Sequence, residues 1–192
     1  MPAVNQPVLD FLLSRRSRPA KTLGLPVPDR EALMPILTAA ARSPDHGKLE
    51  PWRFIVLERG ALLRLAALVP EVGARLGRDA ADIEKAQGHF AHAHLVVAVI
   101  ESQKPPQKIP AIEQSYSAGA VCLALLNAAL ASGWGANWLS GWPSHDREFC
   151  ATGLGLAENE RIAGLIHIGT ASSQPPERPR PDINAITTWV SE

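Results

Sequence analysis

A long uncharged run, residues 118–131, constrains the fold of this chain more than any other feature of its sequence. The run is apolar apart from Asn127, and its alanines, glycine and leucines cover every face of a helix rather than one stripe. It is shorter than the roughly 20 residues needed to cross a bilayer, so we predict a buried helix over residues 112–132. A helix that is apolar all round must be enclosed, and in a chain of this size we expect a second subunit to supply part of the enclosure.

Helical and strand patterns alternate along the rest of the chain. The predicted strands are 52–58, 95–101, 135–140 and 161–169, and the other predicted helices are 7–16, 30–42, 61–76, 79–87 and 146–153. Asp29 suits the N-cap of the second helix, whereas Pro35 predicts a kink or a later start there. Because no Gly-x-Gly-x-x-Gly motif follows a strand, we expect a mixed α+β sheet rather than a dinucleotide-binding fold.

The charge balance excludes several classes of partner. The 192 residues contain 19 basic and 19 acidic side chains, which gives no long-range attraction to nucleic acid or to an anionic membrane. A hydrophobic content of 46% is enough for one domain over residues 1–192. The N-terminal residues lack the basic and apolar regions of a signal peptide, so we expect a cytoplasmic protein.

The cysteines and histidines do not form a recognisable metal or nucleophile motif. Cys122 and Cys150 are far apart and have no ligand spacing, so we expect reduced, buried thiols. His89, His92 and His94 lack an accompanying HExxH or carboxylate pair, and we interpret them as surface or edge histidines. We predict no metal site and no catalytic side chain of the Ser-His-Asp type.

The sequence Arg15-Arg16-Ser17 is a candidate phosphate site. Two guanidinium groups followed by a hydroxyl offer charge-assisted, bidentate hydrogen bonds to an anion. The alternative is a solvated basic helix end, since cations are favoured at helix C-termini.

A second candidate segment spans residues 43–52. Pro44 and Gly47 force a turn in which His46 and Lys48 project near one another. The alternatives are local capping of the turn by His46 and a solvated charge on Lys48.

These segments resemble the FMN-dependent nitroreductase family, and most closely the short bacterial NAD(P)H nitroreductases of the YdjA-like group. The resemblance rests on Arg-Arg-Ser at the end of the first helix and on the Ser-Pro-Asp-His to Pro-Trp loop at 43–52. It extends over the blocks 114–120, 129–141 and 162–169, and therefore covers nearly the whole chain.

The resemblance implies a three-layer α+β sandwich, with a central mixed, mostly antiparallel sheet flanked by helices, in an intertwined homodimer. It also implies that residues 171–192 form an extended C-terminal arm that reaches across to the partner subunit. The proline-rich segment 172–182 suits such an arm, and a disordered tail is the alternative.

The resemblance further implies the residues of two shared FMN sites. Those implied to bind FMN are Arg15, Arg16, Ser17, Trp138, Leu139, Ser140 and Gly141, with His46 and Lys48 of the partner subunit. Those implied to bind the nicotinamide nucleotide are Ala129, Leu130, Ala131, Ser132, Gly133 and Trp134. Trp52 and Trp138 either stack on the flavin or pack in the core, where strand tryptophans usually bury their rings. Arg178 and Arg180 are either further phosphate ligands or part of a solvated tail.

The implied function is transfer of hydride from NADH or NADPH to N5 of FMN, then to a nitroaromatic, quinone or similar small-molecule acceptor by a ping-pong mechanism. Three alternatives stay open. One is a flavin-fragmenting or dehalogenating branch of the fold, with residues 70–89 as the candidate lid. The others are a non-catalytic flavin-binding or storage dimer and a dimeric structural protein without cofactor.

Overall fold

The uncharged run lies within a long central helix, α5 (Ala111–Ala131), in the computed structural model, which describes residues 2–105 and 109–192. Among these residues, α5 alone has the length and apolar character of a membrane span. One face of α5 is buried against the sheet and against the second helix of the chain, so it is a core helix, as predicted. Ile112, Tyr116 and Leu123 stay exposed, and a single subunit therefore encloses α5 only in part.

A five-stranded sheet forms the middle layer. Its strands are β1 (Leu23–Gly24), β2 (Trp52–Glu58), β3 (Leu95–Ser102), β4 (Gly135–Leu139) and β5 (Glu160–Ala171). β5 pairs with β1, β3 and β4, and β3 also pairs with β2. All of these pairings are antiparallel, and the path along the sheet is β1-β5-β3-β2.

Helices cover both faces of the sheet. The remaining helices are α1 (Gln6–Ser14), α2 (Arg30–Ala40), α3 (Arg59–Arg75), α4 (Ala80–Ala91), α6 (Trp142–His145) and α7 (Arg147–Leu154). One core cluster joins the sheet to α2 and α5, and a second joins it to α3, α4 and α7. Alternate β3 side chains, such as Val97 and Val96, enter the two clusters in turn, as the strand period requires. The predicted three-layer α+β architecture is confirmed.

Several helix boundaries differ from the predictions. α1 ends at Ser14 rather than at residue 16, so the two arginines follow the helix. α2 begins at the predicted Arg30 and not later, because the Asp29 carboxylate caps it by accepting from the Ala32 amide at 2.9 Å, but it ends at Ala40 rather than at residue 42. The segment suggested as a lid, residues 70–89, forms the end of α3 and most of α4, which both pack on the core.

The chain after β5 runs over the surface without a helix or strand. Ile183, Ile186, Trp189 and Val190 within it are all more than 60% exposed.

Both cysteines are buried, as predicted, and are free thiols. Burial raises the pKa of Cys122 to about 12 and that of Cys150 to about 11, which keeps both protonated and unreactive at neutral pH.

Candidate functional site

Arg15 has the environment expected of a residue that binds an anion. Its Nη2 donates to the Ser17 hydroxyl at 3.0 Å, but its Nε is buried with no hydrogen-bond partner in residues 2–105 or 109–192. Burial, then the positive charges of Arg180 and Arg16, lower the pKa of Arg15. Arg15 is thus a partly buried cation that lies near two other positive charges and has an unused donor. Such a group can bind an anion, and the described residues supply none to the Arg15 Nε.

The arginines line a cavity of about 680 Å³, which lies in the size range of small-molecule sites. Its walls include Phe11, Ser14, Arg15, Arg16, Arg18, Leu130, Gly133, Trp134, Gly135, Thr170, Ala171, Gln174, Pro175 and Glu177. Three of the residues expected to bind nicotinamide, Leu130, Gly133 and Trp134, therefore share a cavity with Arg15 and Arg16, whereas Ser17 is not part of its lining. Ala129, by contrast, is fully buried in the core.

Hydrogen bonds to β4 hold the arginine segment in place. The Arg18 amide donates to the Ala136 carbonyl at 2.8 Å, and the Asn137 side chain donates to the Arg18 carbonyl at 2.6 Å. Gly133 turns the chain from α5 into β4 with a φ of 85°, in the left-handed region. A Cβ at Gly135 would lie 2.6 Å from the Leu23 side chain, so this close approach requires glycine. These contacts explain how a helix end and a strand far apart in sequence form one wall.

The first part of the C-terminal arm closes this cavity on one side. Arg16 Nη1 donates to the Pro176 carbonyl and lies 3.4 Å from the Glu177 carboxylate. Glu177 also accepts from Arg180 at 2.9 Å. Arg180 therefore lies within electrostatic reach of Arg15, whereas Arg178 contributes its backbone amide to Glu177.

His46 and Lys48 lie outside the arginine cavity. They form a short 3₁₀ turn in which Gly47 and Lys48 have positive φ values of 74° and 54°. His46 Nδ1 lies 2.6 Å from the Glu113 carboxylate, in the first turn of α5. Within one subunit these residues do not line the arginine cavity, and their contribution to a partner's site stays a prediction.

The strand β4, whose last residues are expected to contact the flavin, ends at the surface. Trp138 is 38% exposed, and its indole occupies the space left by Gly164 of β5, where a Cβ would collide with Nε1. Leu139 is half-buried and Ser140 is exposed. Trp52, in contrast, packs against the core cluster of α2 and α5 and donates to the Ser117 hydroxyl at 3.1 Å, so the packing alternative holds for Trp52.

Sequence reasoning did not single out three residues of this region, Asn137, Glu177 and Glu113. Asn137 carried a usable signal, because it is a lone amide in an otherwise apolar strand. Glu113 carried a weaker one as the acidic residue of the first turn of α5. Glu177 had none, since it contacts Arg16 across 161 positions of sequence.

These observations define the class of protein as an α+β sandwich with an arginine-lined cavity at one end of its sheet. The model of the nitroreductase family matches residues 13–170, so the chain belongs to the nitroreductase family, a family of oxidoreductases. It is 34% identical over 162 residues to the Escherichia coli K12 protein named "Putative NAD(P)H nitroreductase YdjA", covering 84% of this chain and 87% of that protein. A Haemophilus influenzae relative named "Putative NAD(P)H nitroreductase" is 35% identical over 164 residues, covering 84% of this chain and 87% of that protein.

Solved structures share the fold over almost the full length. A nitroreductase-like protein from Bacillus cereus has a TM-score of 0.79 at 22% identity, covering 99% of this chain and 98% of its own. A nitroreductase with bound FMN from Bacteroides fragilis has a TM-score of 0.73 at 21% identity, covering 96% of this chain and 98% of its own. The family resemblance inferred from the sequence motifs is confirmed.

Proposed function

We propose that the protein is an FMN-dependent NAD(P)H oxidoreductase whose flavin phosphate binds at Arg15, Arg16 and Ser17. The observation that carries this proposal is the buried Arg15 Nε without a partner among the described residues, beside two further guanidinium groups. A phosphate dianion would accept from the unused donor and would offset both causes of the lowered Arg15 pKa, which are burial first and then repulsion by Arg180 and Arg16. The bound FMN of the Bacteroides fragilis relative is consistent with this ligand.

The chain would position the cofactor rather than act on it chemically. When bound, FMN supplies the redox chemistry, accepting hydride from NADH or NADPH and delivering it to a nitroaromatic, quinone or similar acceptor. Two hydrogen bonds fix the arginine segment against β4: the Asn137 side chain donates to the Arg18 carbonyl, and the Arg18 amide donates to the Ala136 carbonyl. The end of β4, at Trp138, Leu139, Ser140 and Gly141, would lie along the flavin.

We also propose that the functional unit is a homodimer in the cytoplasm. α1 has no buried residue, and its apolar side chains Val8, Leu9, Leu12 and Leu13 are exposed. The apolar residues near the end of the arm are exposed as well. Surfaces of this kind are typical of protein interfaces, and a second copy receiving the arm would cover them.

The decisive experiment is the visible spectrum of the purified protein, followed by anaerobic addition of NADPH or NADH. We expect an oxidised-flavin band that bleaches on addition of at least one of them. A band that does not bleach would favour a flavin-binding or storage protein. A colourless protein that takes up no added FMN would overturn the proposed cofactor.

Light scattering of the eluting protein tests the dimer separately. We expect a dimer for the full chain and dissociation when residues 183–192 are removed. A monomer that retains a full complement of flavin would contradict the shared site.

A further inference from the structure

A second cavity, of about 420 Å³, lies between α4 and β5 and has no role in the proposed flavin chemistry. Its charged and imidazole-bearing residues are Lys21, Glu84, Lys85, His89, His92 and His167, and the rest of its lining is Ala20, Ala81, Gly88 and Ala93. His89 is half-buried and His92 exposed, which agrees with the interpretation of both as surface or edge histidines, and both line this cavity.

His167 lies on β5 at this cavity and is only 3% exposed. Its Nε2 is buried with no hydrogen-bond partner in the part of the chain that the structure describes. Burial, then the neighbouring His89, lowers the pKa of His167 to about 4, so the ring is neutral at neutral pH. Leu165, two positions earlier on the same strand, is an apolar core residue. A polar ring left unpaired in such a place destabilises the fold, which calls for an explanation outside packing.

The charges around the cavity favour an anion of low charge. Lys21 and Lys85 provide two ammonium groups and Glu84 one carboxylate, which leaves one net positive charge when the imidazoles are neutral. This matches a monoanion better than a phosphate dianion, which Glu84 would repel. The alanines of the lining provide small apolar surface for the body of a ligand.

Gly88 keeps the helix wall of this cavity open. It lies in the interior of α4, where glycine is less favourable than alanine. It shares a helix face with Lys85 and His92, at spacings of three and four residues. A Cβ there would meet the His92 ring at 3.5 Å, which is ordinary contact, so packing does not demand glycine.

We propose that this cavity is a second ligand site, which binds a small organic monocarboxylate. The binding groups are the ammonium groups of Lys21 and Lys85 and the imidazoles that line the cavity, including that of His167. The carboxylate would pair with the ammonium groups, and the apolar part of the ligand would lie against the alanines. The site is separate from the arginine cavity, with which it shares no lining residue. The proposal therefore stands whether or not the protein binds FMN.

The test is a titration of the flavin-saturated protein, or of the protein as purified if it takes up no flavin, with benzoate as the probe. NMR signals of the ¹³C-labelled histidine rings report binding, and substitution of each of the other five histidines identifies the His167 signal. We expect the signals of His167 and His89 to shift saturably with benzoate and not with its neutral analogue benzamide. Inorganic phosphate should bind at least tenfold more weakly than benzoate, as a dianion facing Glu84.

Two variants and one control sharpen this test. Lys85→Ala should weaken benzoate binding about tenfold, the effect of losing one charge-assisted hydrogen bond. Gly88→Leu should abolish binding by filling the cavity while favouring the helix. Lys104→Ala, which removes a lysine outside the cavity lining, should leave binding unchanged. Equal shifts with benzamide, no saturable shift at His167, or unchanged binding in Lys85→Ala would overturn the proposal and leave a cavity that holds only water.

Discussion

Two clusters of charged side chains lie at opposite ends of β5, and only one of them is complete. At the start of the strand, Glu101 is 3% exposed and accepts hydrogen bonds from Arg161, Gln103 and Ser115. At the other end, Arg15 keeps a buried donor that no described residue uses, and Arg16 and Arg180 lie within electrostatic reach of it. Charges that satisfy one another hold a fold together, whereas a surplus of one sign in a cavity indicates a ligand.

The largest effect on stability should come from breaking the complete cluster with Glu101→Ala. Burial alone would raise the pKa of Glu101, but the hydrogen bonds from Arg161, Gln103 and Ser115 outweigh it and lower that pKa. Removing the carboxylate leaves those donors without their acceptor. We expect a loss of about 2–3 kcal/mol in the free energy of unfolding, measured in urea, moderated because Arg161 is 60% exposed and regains water.

Glu158→Ala is the matched control, because Glu158 is an exposed glutamate close to the same strand. It should change the free energy of unfolding by less than about 0.5 kcal/mol. Equal losses in the two variants would mean that the Glu101 cluster does not stabilise the fold.

The incomplete cluster should behave in the opposite way. Arg15→Ala should raise the dissociation constant for FMN about 10- to 100-fold, since it removes a charge-assisted contact to phosphate. Without flavin, the variant should unfold at the same urea concentration as the flavin-free parent or at a higher one, because the repulsion between like charges is relieved. Flavin fluorescence quenching and urea unfolding measure the two quantities.

Arg42→Ala provides the control, as an exposed arginine outside the cavity lining. It should bind FMN like the parent. If Arg15→Ala also binds FMN like the parent, the phosphate assignment is wrong.

Acid should weaken the contacts at the start of β5, where Glu160 accepts from Arg53 next to the Glu101 cluster. Hydrogen bonds from Arg53, at 2.6 and 2.8 Å, lower the pKa of Glu160 to about 2. An unfolded glutamate titrates at about pH 4.3, so this carboxylate stabilises the fold fully above that pH. Its contribution is lost as the pH falls toward about 2.

Urea unfolding between pH 2 and pH 7 tests this expectation. Glu160→Gln should flatten the acid decline below about pH 4.3, whereas Arg15→Ala should leave its slope unchanged. If the slope in Glu160→Gln is identical to that of the parent, Glu160 does not contribute to the loss of stability in acid.

The fold could be predicted well where local pattern and tertiary packing agree. β2 was predicted at its observed bounds, and α5 within one residue at each end, because a strongly apolar segment with turn residues around it has little freedom. α4 was predicted to end at residue 87 but continues to Ala91, since Phe90 packs into the core and carries the helix past Gly88. α1 was predicted to end two residues too late, because the bond from Arg18 to β4 draws the chain away from the helix.

The candidate site was predictable only in its local parts. Arg15, Arg16 and Ser17 follow one another, so the sequence alone reveals their shared chemistry. The position of Trp134 beside them depends on the turn from α5 into β4, and that of Glu177 depends on the path of the arm. The three histidine positions of the second cavity come from a helix, its end and a strand, which no local pattern joins.

The smallest effect should come from Glu177, the one carboxylate lining the described part of the arginine cavity. Its hydrogen bond to the Arg178 amide, then its contacts with Arg180 and Arg16, lower its pKa, so it is ionised at neutral pH and competes with any anion bound there. Glu177→Gln should therefore tighten FMN binding, by less than about fivefold because the side chain is 66% exposed and screened by water. The gain should shrink at high salt, and Asp182→Asn, in the same arm but outside the cavity lining, should show none. Weaker FMN binding in Glu177→Gln would instead show that this carboxylate orients Arg16 for the phosphate, and the surplus of positive charge would then depend on the arm that partly balances it.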